Sequence, residues 1–422
     1  MKSSILTFFL SLILGTTLAH GAVIMVSPGQ SVQAAINSAS TGDEIVLQAG
    51  SYNEDLNVTG KGLTFRAFNL PWIAKSISVF NSSTPCKFEN FQLLEDLNST
   101  GTDLEVRNAN IGGSITVNQA GLKLTKSTID NDVIVNHSVN ASGSDTEAFI
   151  TQSTITERMV CKAKKSWICY NSIRYGVFQG TSHIIGNHFN GRSWAGIGLK
   201  IEGNETKAFV SNNRIHSYKI HTSNNISDQC IGILISNNAR VDIINNLIYD
   251  CFDSSGSGSE HRVGLGIYVN STTGTKIFGN AIWNCFVRDG GSSVTSYLVY
   301  APSQGVLLHN NCLYASSSSD SKEVGGGVVK INCFDAHPKF TDSPNGDYSL
   351  ASDSPCIDAG PSDPQYNDRD GSRNDIGMFG GHNFIPDGRT TNKPIVLGLD
   401  IAPIAVPTGG TVTIESTGAT MK

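Results

Sequence analysis

The stretch that decides the fold is VDIINNLIYDC, residues 241–251, in which two asparagines stand between isoleucines and precede an aromatic residue. Similar stretches recur downstream as TKIFGNAIWNC, residues 275–285, and VLLHNNCLYAS, residues 306–316. Upstream the chain reads AFVSNNRIHSY, residues 208–218. A phrase that recurs every 20 to 50 residues is typical of a solenoid, in which each repeat forms one coil that stacks on the next.

The second turn-forming position of each stretch marks the repeat along most of the chain. It falls at Asn187, Asn213, Asn246, Asn280 and Asn311 and extends backward through Asn171, Ser153, Ser127, Ala109, Phe91 and Phe68. The intervals range from 16 to 34 residues. Short β-rich coils of irregular length favour an all-β parallel β-helix of about eleven coils. A leucine-rich repeat needs a fixed leucine spacing, which this chain lacks.

Composition agrees with this fold class and limits the partners. The 422 residues include 43 glycines, which suits many short strands joined by turns. Only 16% of the residues are charged and the net charge is −6. A nucleic-acid-binding protein would carry a basic patch, so we expect no nucleic acid partner.

The first 21 residues have the form of a secretory signal peptide. Lys2 precedes an apolar stretch from Ile5 to Leu18, and Ala19-His20-Gly21 provides a cleavage site. The apolar stretch is too short to cross a bilayer, which takes about 20 residues. We therefore expect an exported protein without a membrane span, placed outside the cell, at its surface or in a periplasm.

The register of the repeat predicts which side chains face outward. If the coils stack in register, the asparagines lie above one another, and the apolar residue two positions later points inward. The next residue then points outward, which places His216, Tyr249, Trp283 and Tyr314 in one column. Such a column would offer a flat strip on which sugar rings stack. The alternative is that overhanging segments cover the rings as a satellite core.

The nine cysteines include one pair in equivalent positions. Cys251 and Cys285 each lie five residues after a marked asparagine, so stacking brings their Cα atoms near enough for a disulfide. A reduced pair packed as small apolar side chains fits the same positions.

The two ends of the repeat region have distinct features. Ser31 is placed to cap a short helix whose apolar face would close the first coil. Near the other end, the acidic stretch from Asn367 to Asp375 suggests either a calcium site or a tight closing turn. We place the β-helix domain at residues 22–382. Residues 383–422 form a proline-containing tail with two apolar strands, either laid on the solenoid or belonging to an attachment module.

Both ends resemble a known group of proteins. VSPGQSVQAAINSASTGDEIVLQAGSYNE, residues 26–54, resembles the opening of secreted right-handed parallel β-helix proteins of the pectate-lyase-like superfamily. SPCIDAG followed by DRDGSRNDIGMFGG is similar to the closing motif of its bacterial members. The resemblance implies a right-handed helix and a carbohydrate partner. It does not imply one activity, because the superfamily includes lyases, hydrolases, esterases and non-catalytic surface proteins.

Candidate catalytic residues come from the long segments that follow the aromatic column. The local motifs of polygalacturonase-type hydrolases and pectin esterases are absent, so no family residues transfer to this chain. For a lyase, Lys219 or His261 is the candidate base, and Arg262 or Arg288 the group that neutralises a uronic carboxylate. For an inverting hydrolase, the candidate carboxylates are Asp253, Glu260 and Asp289. We found no histidine grouping at metal-ligand spacing, and Ca²⁺ is the only cofactor considered.

These observations predict an exported, monomeric, carbohydrate-active β-helix. We expect it to bind an extended, uronic-acid-containing polysaccharide and to depolymerise it by β-elimination. Two alternatives stay open. One is a polysaccharide hydrolase on the same scaffold, and the other is a non-catalytic adhesin or matrix protein.

Overall fold

A computed structural model describes most of the chain. It covers residues 21–67, 72–73, 75–137, 146–194, 196–220, 229–253, 263–271, 274–287, 296–315, 321–385, 395–402 and 413–419. The helical elements are α1 (Val32–Ser38) and two 3-10 turns, Ser343–Asn345 and Pro364–Tyr366. The first strands are β1 (Val23–Val26), β2 (Glu44–Leu47), β3 (Ser51–Tyr52), β4 (Leu56–Thr59), β5 (Thr64–Ala67), β6 (Trp72–Ile73), β7 (Ile77–Phe80), β8 (Cys86–Leu93), β9 (Leu97–Thr100), β10 (Leu104–Ile111), β11 (Ile115–Asn118), β12 (Leu122–Thr125), β13 (Thr128–Ile129), β14 (Val133–Asn136), β15 (Glu147–Thr151), β16 (Thr154–Cys161), β17 (Lys165–Cys169) and β18 (Ser172–Phe178). The remaining strands are β19 (Thr181–Ile185), β20 (His188–Trp194), β21 (Gly196–Glu202), β22 (Lys207–Ser211), β23 (Arg214–Ile220), β24 (Gln229–Ser236), β25 (Arg240–Ile244), β26 (Leu247–Asp253), β27 (Val263–Asn270), β28 (Lys276–Phe278), β29 (Ala281–Trp283), β30 (Phe286–Val287), β31 (Ser296–His309), β32 (Cys312–Tyr314), β33 (Ser321–Ile331), β34 (Phe340–Asp342), β35 (Asp347–Leu350), β36 (Ile395–Ala402) and β37 (Thr413–Ala419).

Each coil of the solenoid passes through three faces. All pairings within the 33-stranded sheet are parallel and join strands of successive coils. The first face contains β17, β19, β22, β25 and β28; the second contains β29, β32 and the first halves of β20, β23 and β26; the third contains β21, β24 and β27. The predicted all-β parallel β-helix with a short N-terminal helix is therefore confirmed.

The N-terminal helix closes the first coil as predicted. The Ser31 side chain accepts a hydrogen bond from the Ala34 backbone N–H at 3.1 Å, and the Glu54 carboxylate accepts from Val32 N at 2.8 Å. These bonds satisfy N–H groups that a helix N-terminus leaves unpaired. Val32 and Ile36 are almost fully buried, so the helix covers the end of the core.

Two columns of asparagine explain the paired residues of the repeat. The inner column forms a ladder between the first and second faces, in which Asn213 Nδ2 donates to Asn246 Oδ1 at 3.0 Å and Asn246 Nδ2 donates to Asn280 Oδ1 at 3.0 Å. Each ladder oxygen also accepts the backbone N–H of the preceding ladder residue, as in Asn213 N to Asn246 Oδ1 at 3.0 Å. The ladder runs from Asn171 to Asn311 at 0–1% exposure, so the predicted structural role is confirmed.

The asparagines of the outer column turn the chain and form hydrogen bonds with a later segment. Asn212, Asn245 and Asn310 have φ between 50° and 57°, a left-handed conformation that asparagine tolerates. Their side-chain amides donate to backbone oxygens of residues 359–380, for example Asn212 Nδ2 to Gly380 O at 2.7 Å and Asn310 Nδ2 to Ala359 O at 3.1 Å. The corner of the solenoid is thereby fastened to the closing motif.

Residues 334–381, here called the cover segment, lie along the outside of the last coils. The segment begins with a bridge between Phe334 and Cys312 and includes the antiparallel hairpin β34–β35. Beyond it, β36 and β37 pair antiparallel, and they coincide closely with the two strands expected in the tail. None of the helices among the described residues is both long and apolar enough to span a membrane.

Candidate functional site

The predicted aromatic column forms on the second face. His216, Tyr249 and Trp283 occupy equivalent positions on β23, β26 and β29, and Tyr314 follows on β32. The His216 and Tyr249 rings stack with centroids 4.7 Å apart and planes 1° apart, and Tyr249 stacks on Trp283 at 5.6 Å. The register prediction is therefore confirmed for all four residues.

The column is covered, which corrects the expectation of an open strip. Tyr249 is 2% exposed because the Tyr348 ring of β35 packs on it at 4.9 Å. His216 is 7% exposed. His216 and Tyr249 therefore lack an open ring face in this structure, and their role in sugar binding stays a prediction.

Further rings of the cover segment contact the end of the column. His337 meets the Trp283 and Tyr314 rings edge-on, with centroids 5.5 Å and 5.2 Å away, and Phe340 packs near Trp283 at 6.1 Å. Both Trp283 and Tyr314 are half-buried. The alternative of a satellite core describes this face.

A polar cluster lies at the corner where the second face ends, and we call it the corner cluster. It consists of His188, His216, Ser217, Lys219 and Asp250. Lys219 Nζ lies 3.5 Å from Asp250 Oδ2 and 4.8 Å from the centroid of the Phe252 ring. The Lys219 and Asp250 side chains are 19% and 24% exposed, so both reach solvent from a largely buried position.

Local conformation builds this corner on successive coils. Ser217, Asp250 and Asn284 all have φ between 52° and 65°, so each strand bends at the same position before it continues. The Asn284 amide donates to the Asp250 carboxylate, and Phe252 stacks on Phe286 at 5.0 Å. The same bend therefore recurs at one register position on three coils.

The two histidines of the cluster interact directly. His188 Nε2 and His216 Nε2 are 2.6 Å apart, and His216 Nδ1 lies 2.7 Å from Ser217 Oγ. Burial lowers the pKa of His216 to about 2, assisted by the positive charges of His188, Arg214 and Lys219. His216 is therefore neutral at physiological pH, and its two contacts use one ring donor and one ring acceptor.

A second aromatic group lies on the third face. Tyr268 and Tyr300 occupy equivalent positions on β27 and β31, with centroids 5.6 Å apart. Tyr297 stacks on Tyr300 at 5.0 Å and 13°, and its ring occupies the space above Gly325, where an added Cβ would lie 2.2 Å from Tyr297 Cε1. All three rings are half-buried, unlike Tyr249. The sequence analysis missed them because it followed only the column after the asparagines.

Another ring column occupies the first face but is a packing feature. Phe149, Trp167 and His183 stack on β15, β17 and β19, with centroids 4.5 Å and 5.9 Å apart. Trp167 is 5% exposed and belongs to a cluster that also contacts Ile385. Its register matches the Asn corner as closely as that of the predicted column, so register alone does not distinguish a binding surface.

Of the predicted catalytic residues, Lys219 lies in the corner cluster. Asp253 is the last residue of β26, and its side chain lies outside the described part of the structure. Glu260, His261, Arg262, Arg288 and Asp289 also lie outside the described residues. The members that sequence reasoning missed are His188, Ser217 and Asp250, for which the stacked register of the coils was the available signal.

The acidic stretch near residue 370 fits a closing turn better than a calcium site. The Asp368 carboxylate accepts N–H bonds from Asp375 and Gly381, and Asp370 Oδ1 accepts from Ser372 N at 2.9 Å. Bonds of this kind from carboxylates to nearby backbone N–H groups are what a closing turn requires. Within the described ranges, no three His, Cys, Asp or Glu side chains are grouped to hold a metal.

Comparison with known proteins gives similarity in structure only. No protein-family model matches the chain, and no curated protein matches it. The solved structures that are similar to it include three lyases. The pectate lyase Pel9A is 15% identical, with 86% of this chain and 97% of that chain covered and a TM-score of 0.38. A mannuronic-acid-specific polysaccharide family 6 lyase from human gut microbiota is 12% identical over 73% and 83%, with a TM-score of 0.29. The family 6 alginate lyase AlyGC is 14% identical over 79% and 57%, with a TM-score of 0.32. At these identities and TM-scores, activity must be argued from the residues of this chain.

Proposed function

We propose that the chain is an exported β-helix enzyme that binds an extended, uronic-acid-containing polysaccharide and cleaves it by β-elimination. The observation that carries the proposal is the corner cluster, in which a partly exposed lysine and a histidine pair lie on either side of Ser217, near enough for the lysine charge to act on His216. In the sequence, the long segments 221–228, 254–262 and 288–295 directly follow strands of this corner, and functional loops usually follow rigid elements in this way.

The elimination needs a cation and a proton acceptor. A base removes the proton beside the uronic carboxylate, the glycosidic C–O bond breaks, and a carbon–carbon double bond forms as the leaving oxygen takes up a proton. A cation at the carboxylate stabilises the negative charge that develops in the transition state. We assign Lys219 to the carboxylate and the His188–His216 pair to the proton.

The ion pair decides the role of Lys219. Asp250 Oδ2 lies 3.5 Å from Lys219 Nζ and the centroid of the Phe252 ring lies 4.8 Å from it, and both are partners that a cation takes. Lys219 is therefore arranged as a cation, and a base must be deprotonated to act. In the histidine pair, burial keeps His216 neutral, so we assign the role of proton acceptor to His188, the less buried ring.

The tyrosines of the third face supply the polymer-binding surface of this proposal. Tyr268, Tyr297 and Tyr300 keep partly accessible rings on a flat parallel sheet, where sugar rings stack. Lys200 lies on the same face, with its Nζ 2.8 Å from Glu202, and 32% of its side chain is exposed. A polyanionic chain lying along this face would meet both rings and cations.

The test is release of new reducing ends from plant, algal and animal polysaccharides, with ultraviolet absorbance of the product and with calcium or chelator present. We expect one uronic polymer to give an absorbing, unsaturated product. Lys219→Met and His188→Ala should each lower kcat/KM on the order of a thousandfold. Lys87→Met is the matched control, because Lys87 forms a similar cross-coil ion pair, 3.3 Å from Glu105, on another face.

The controls separate the remaining possibilities. Reducing ends without absorbance would indicate hydrolysis and direct attention to Asp253, Glu260 and Asp289. Equal activity of Lys219→Met and Lys87→Met would remove the corner cluster from the mechanism. Loss of affinity in Tyr300→Ala but not in Trp283→Ala, by about fivefold, is expected if the third face binds the polymer.

A non-catalytic polysaccharide-binding protein is the second candidate. The observation that favours it is the burial of His216 at 7% exposure, which leaves His188 as the accessible ring of the pair. This candidate predicts polymer binding that depends on Tyr300, with no product from any polymer.

A further inference from the structure

Two buried cysteines from distant parts of the chain meet under the cover segment. Cys312 follows Leu247 and Ala281 in the outward column next to the aromatic one, on β32. Cys356 belongs to the SPCIDAG stretch of the cover segment. Both are 0% exposed, belong to one packed cluster, and lie close enough for their thiols to hydrogen-bond.

The contact between Cys312 and Cys356 differs in geometry from the contact between Cys251 and Cys285. Cys251 and Cys285 also contact each other, but they occupy equivalent positions on adjacent coils, each one residue before the paired Phe252 and Phe286, and their side chains point the same way. Their Cβ atoms are therefore spaced like the strands, at about 4.8 Å. A disulfide needs a Cβ–Cβ distance of about 3.5–4.5 Å. Cys312 points outward into the packed cluster that contains Cys356 of the cover segment, so strand spacing does not fix the separation of this pair.

We propose that Cys312 and Cys356 form a disulfide that locks the cover segment onto the last coils, while Cys251 and Cys285 stay reduced. This inference stands independently of the catalytic proposal. The bond would enclose the hairpin β34–β35, which carries Tyr348 over Tyr249. It would therefore hold the aromatic column permanently covered.

The chemistry requires an oxidant and an early moment in folding. The two thiols lose two protons and two electrons, and a small disulfide such as glutathione disulfide accepts them and becomes two thiols. Contact with the Cys356 thiol raises the pKa of Cys312, and burial adds to this effect. Docking of the cover segment therefore lowers the fraction of reactive thiolate. We expect the bond to form before docking is complete.

The experiment is disulfide mapping after refolding of the full chain in glutathione redox buffer. Free thiols are alkylated under denaturing conditions without reductant, and the digest is analysed by mass spectrometry. We expect a linked peptide joining Cys312 to Cys356 and alkylated Cys251 and Cys285. Alkylation of both Cys312 and Cys356, or a linked Cys251–Cys285 peptide, would overturn the proposal.

Limited proteolysis measures what the bond does. In Cys312→Ala, cleavage within residues 334–350 should accelerate on the order of tenfold or more, since the cover segment loses its covalent tether. Cys285→Ala is the matched control, because Cys285 is similarly buried at 1% exposure and lies in the other pair. Equal cleavage rates in the two variants would mean that the segment is held by packing alone. Mapping of the unsubstituted chain keeps the proposal testable if either variant fails to fold.

Discussion

Replacing Asn246 with alanine tests whether the inner asparagine ladder holds the coils together. Asn246 donates to Val210 O at 2.9 Å, Ile244 O at 3.0 Å and Asn280 Oδ1 at 3.0 Å. Its own oxygen accepts from Asn213 N and from Asn213 Nδ2, both at 3.0 Å. Alanine removes all of these bonds from a site with 0% exposure, where water does not replace them.

Some groups that bond to Asn246 keep a second hydrogen-bond partner after the substitution, which limits the loss of unfolding free energy. Asn213 Nδ2 still donates to Ile184 O at 2.8 Å, and Asn280 Oδ1 still accepts from the residue 246 backbone at 2.9 Å. The backbone N–H of Asn213 loses the partner that Asn246 Oδ1 provides. A buried donor without a partner costs about 1–3 kcal/mol, and each further net bond about 1 kcal/mol, so we expect a loss of about 4 kcal/mol.

Urea unfolding followed by circular dichroism measures this loss. Asn118→Ala is the control, because Asn118 accepts one hydrogen bond, from Asn136 Nδ2 at 3.1 Å, on the half-buried outer surface. The control should lose less than about 1 kcal/mol. A loss in Asn246→Ala no larger than the control would refute the reasoning, because it would mean that the ladder contributes no more than a surface amide pair.

Three further outcomes check other parts of the structure. Gly232→Ala places a Cβ 2.6 Å from Gly266 O, so thermal unfolding should show a loss of about 3 kcal/mol, whereas Gly274→Ala, with open space around it, should match the unsubstituted protein. Burial raises the pKa of Asp368 to about 6, with the charge of Asp375 adding to this effect, so the folded state holds the proton more tightly than the unfolded state. Its contribution to stability is fully present below the unfolded pKa near 4 and is lost as the pH rises through about 6. The midpoint temperature of thermal unfolding should therefore decrease as the pH is raised from 4 to 7, and it should decrease less in Asp368→Asn. Tyr348→Ala should lower the unfolding midpoint and leave polysaccharide affinity unchanged, and tighter binding by this variant would show that the uncovered aromatic column takes up sugar.

The repeat made the path of the backbone predictable to a high degree. Each marked position from Ala109 to Asn311 lies in the predicted stack, because one corner geometry is used on every coil and only a few residue types satisfy it. Even Ser127, a weaker turn former, keeps its place by accepting the Ala109 N–H at 3.1 Å. Local residue choice and global stacking agree here, which is why a pattern within one coil predicts contacts between coils.

The first asparagine of each pair had a predictable conformation, but its contacts with the cover segment were not predictable. A left-handed corner explains Asn212 and Asn245 from local chemistry alone. Their bonds to the cover segment join residues far apart in the sequence, as in Asn245 Nδ2 to Asn374 Oδ1 at 3.0 Å. The corresponding corner position of the next coil is Gly279, which also has a left-handed conformation but is not an asparagine. It needs a left-handed residue, but an added Cβ would come within 3.3 Å of Asn374 Oδ1, so glycine takes the place of asparagine.

The aromatic column shows where alternation along a strand stops being informative. Alternation correctly places Tyr249 on the outer side of its sheet, but outer does not mean exposed in a chain that folds back over itself. Arg214 makes the distinction visible. Its Nε donates to Tyr249 OH at 2.8 Å, and its guanidinium lies 4.2 Å from the Tyr348 centroid, so the cation is sandwiched between the solenoid and the cover segment. A sugar-binding strip would leave such a cation free to meet its ligand. Here the cation already has its aromatic partners within the chain. We therefore propose that the polymer binds to the half-buried tyrosines of the third face and not to the second face.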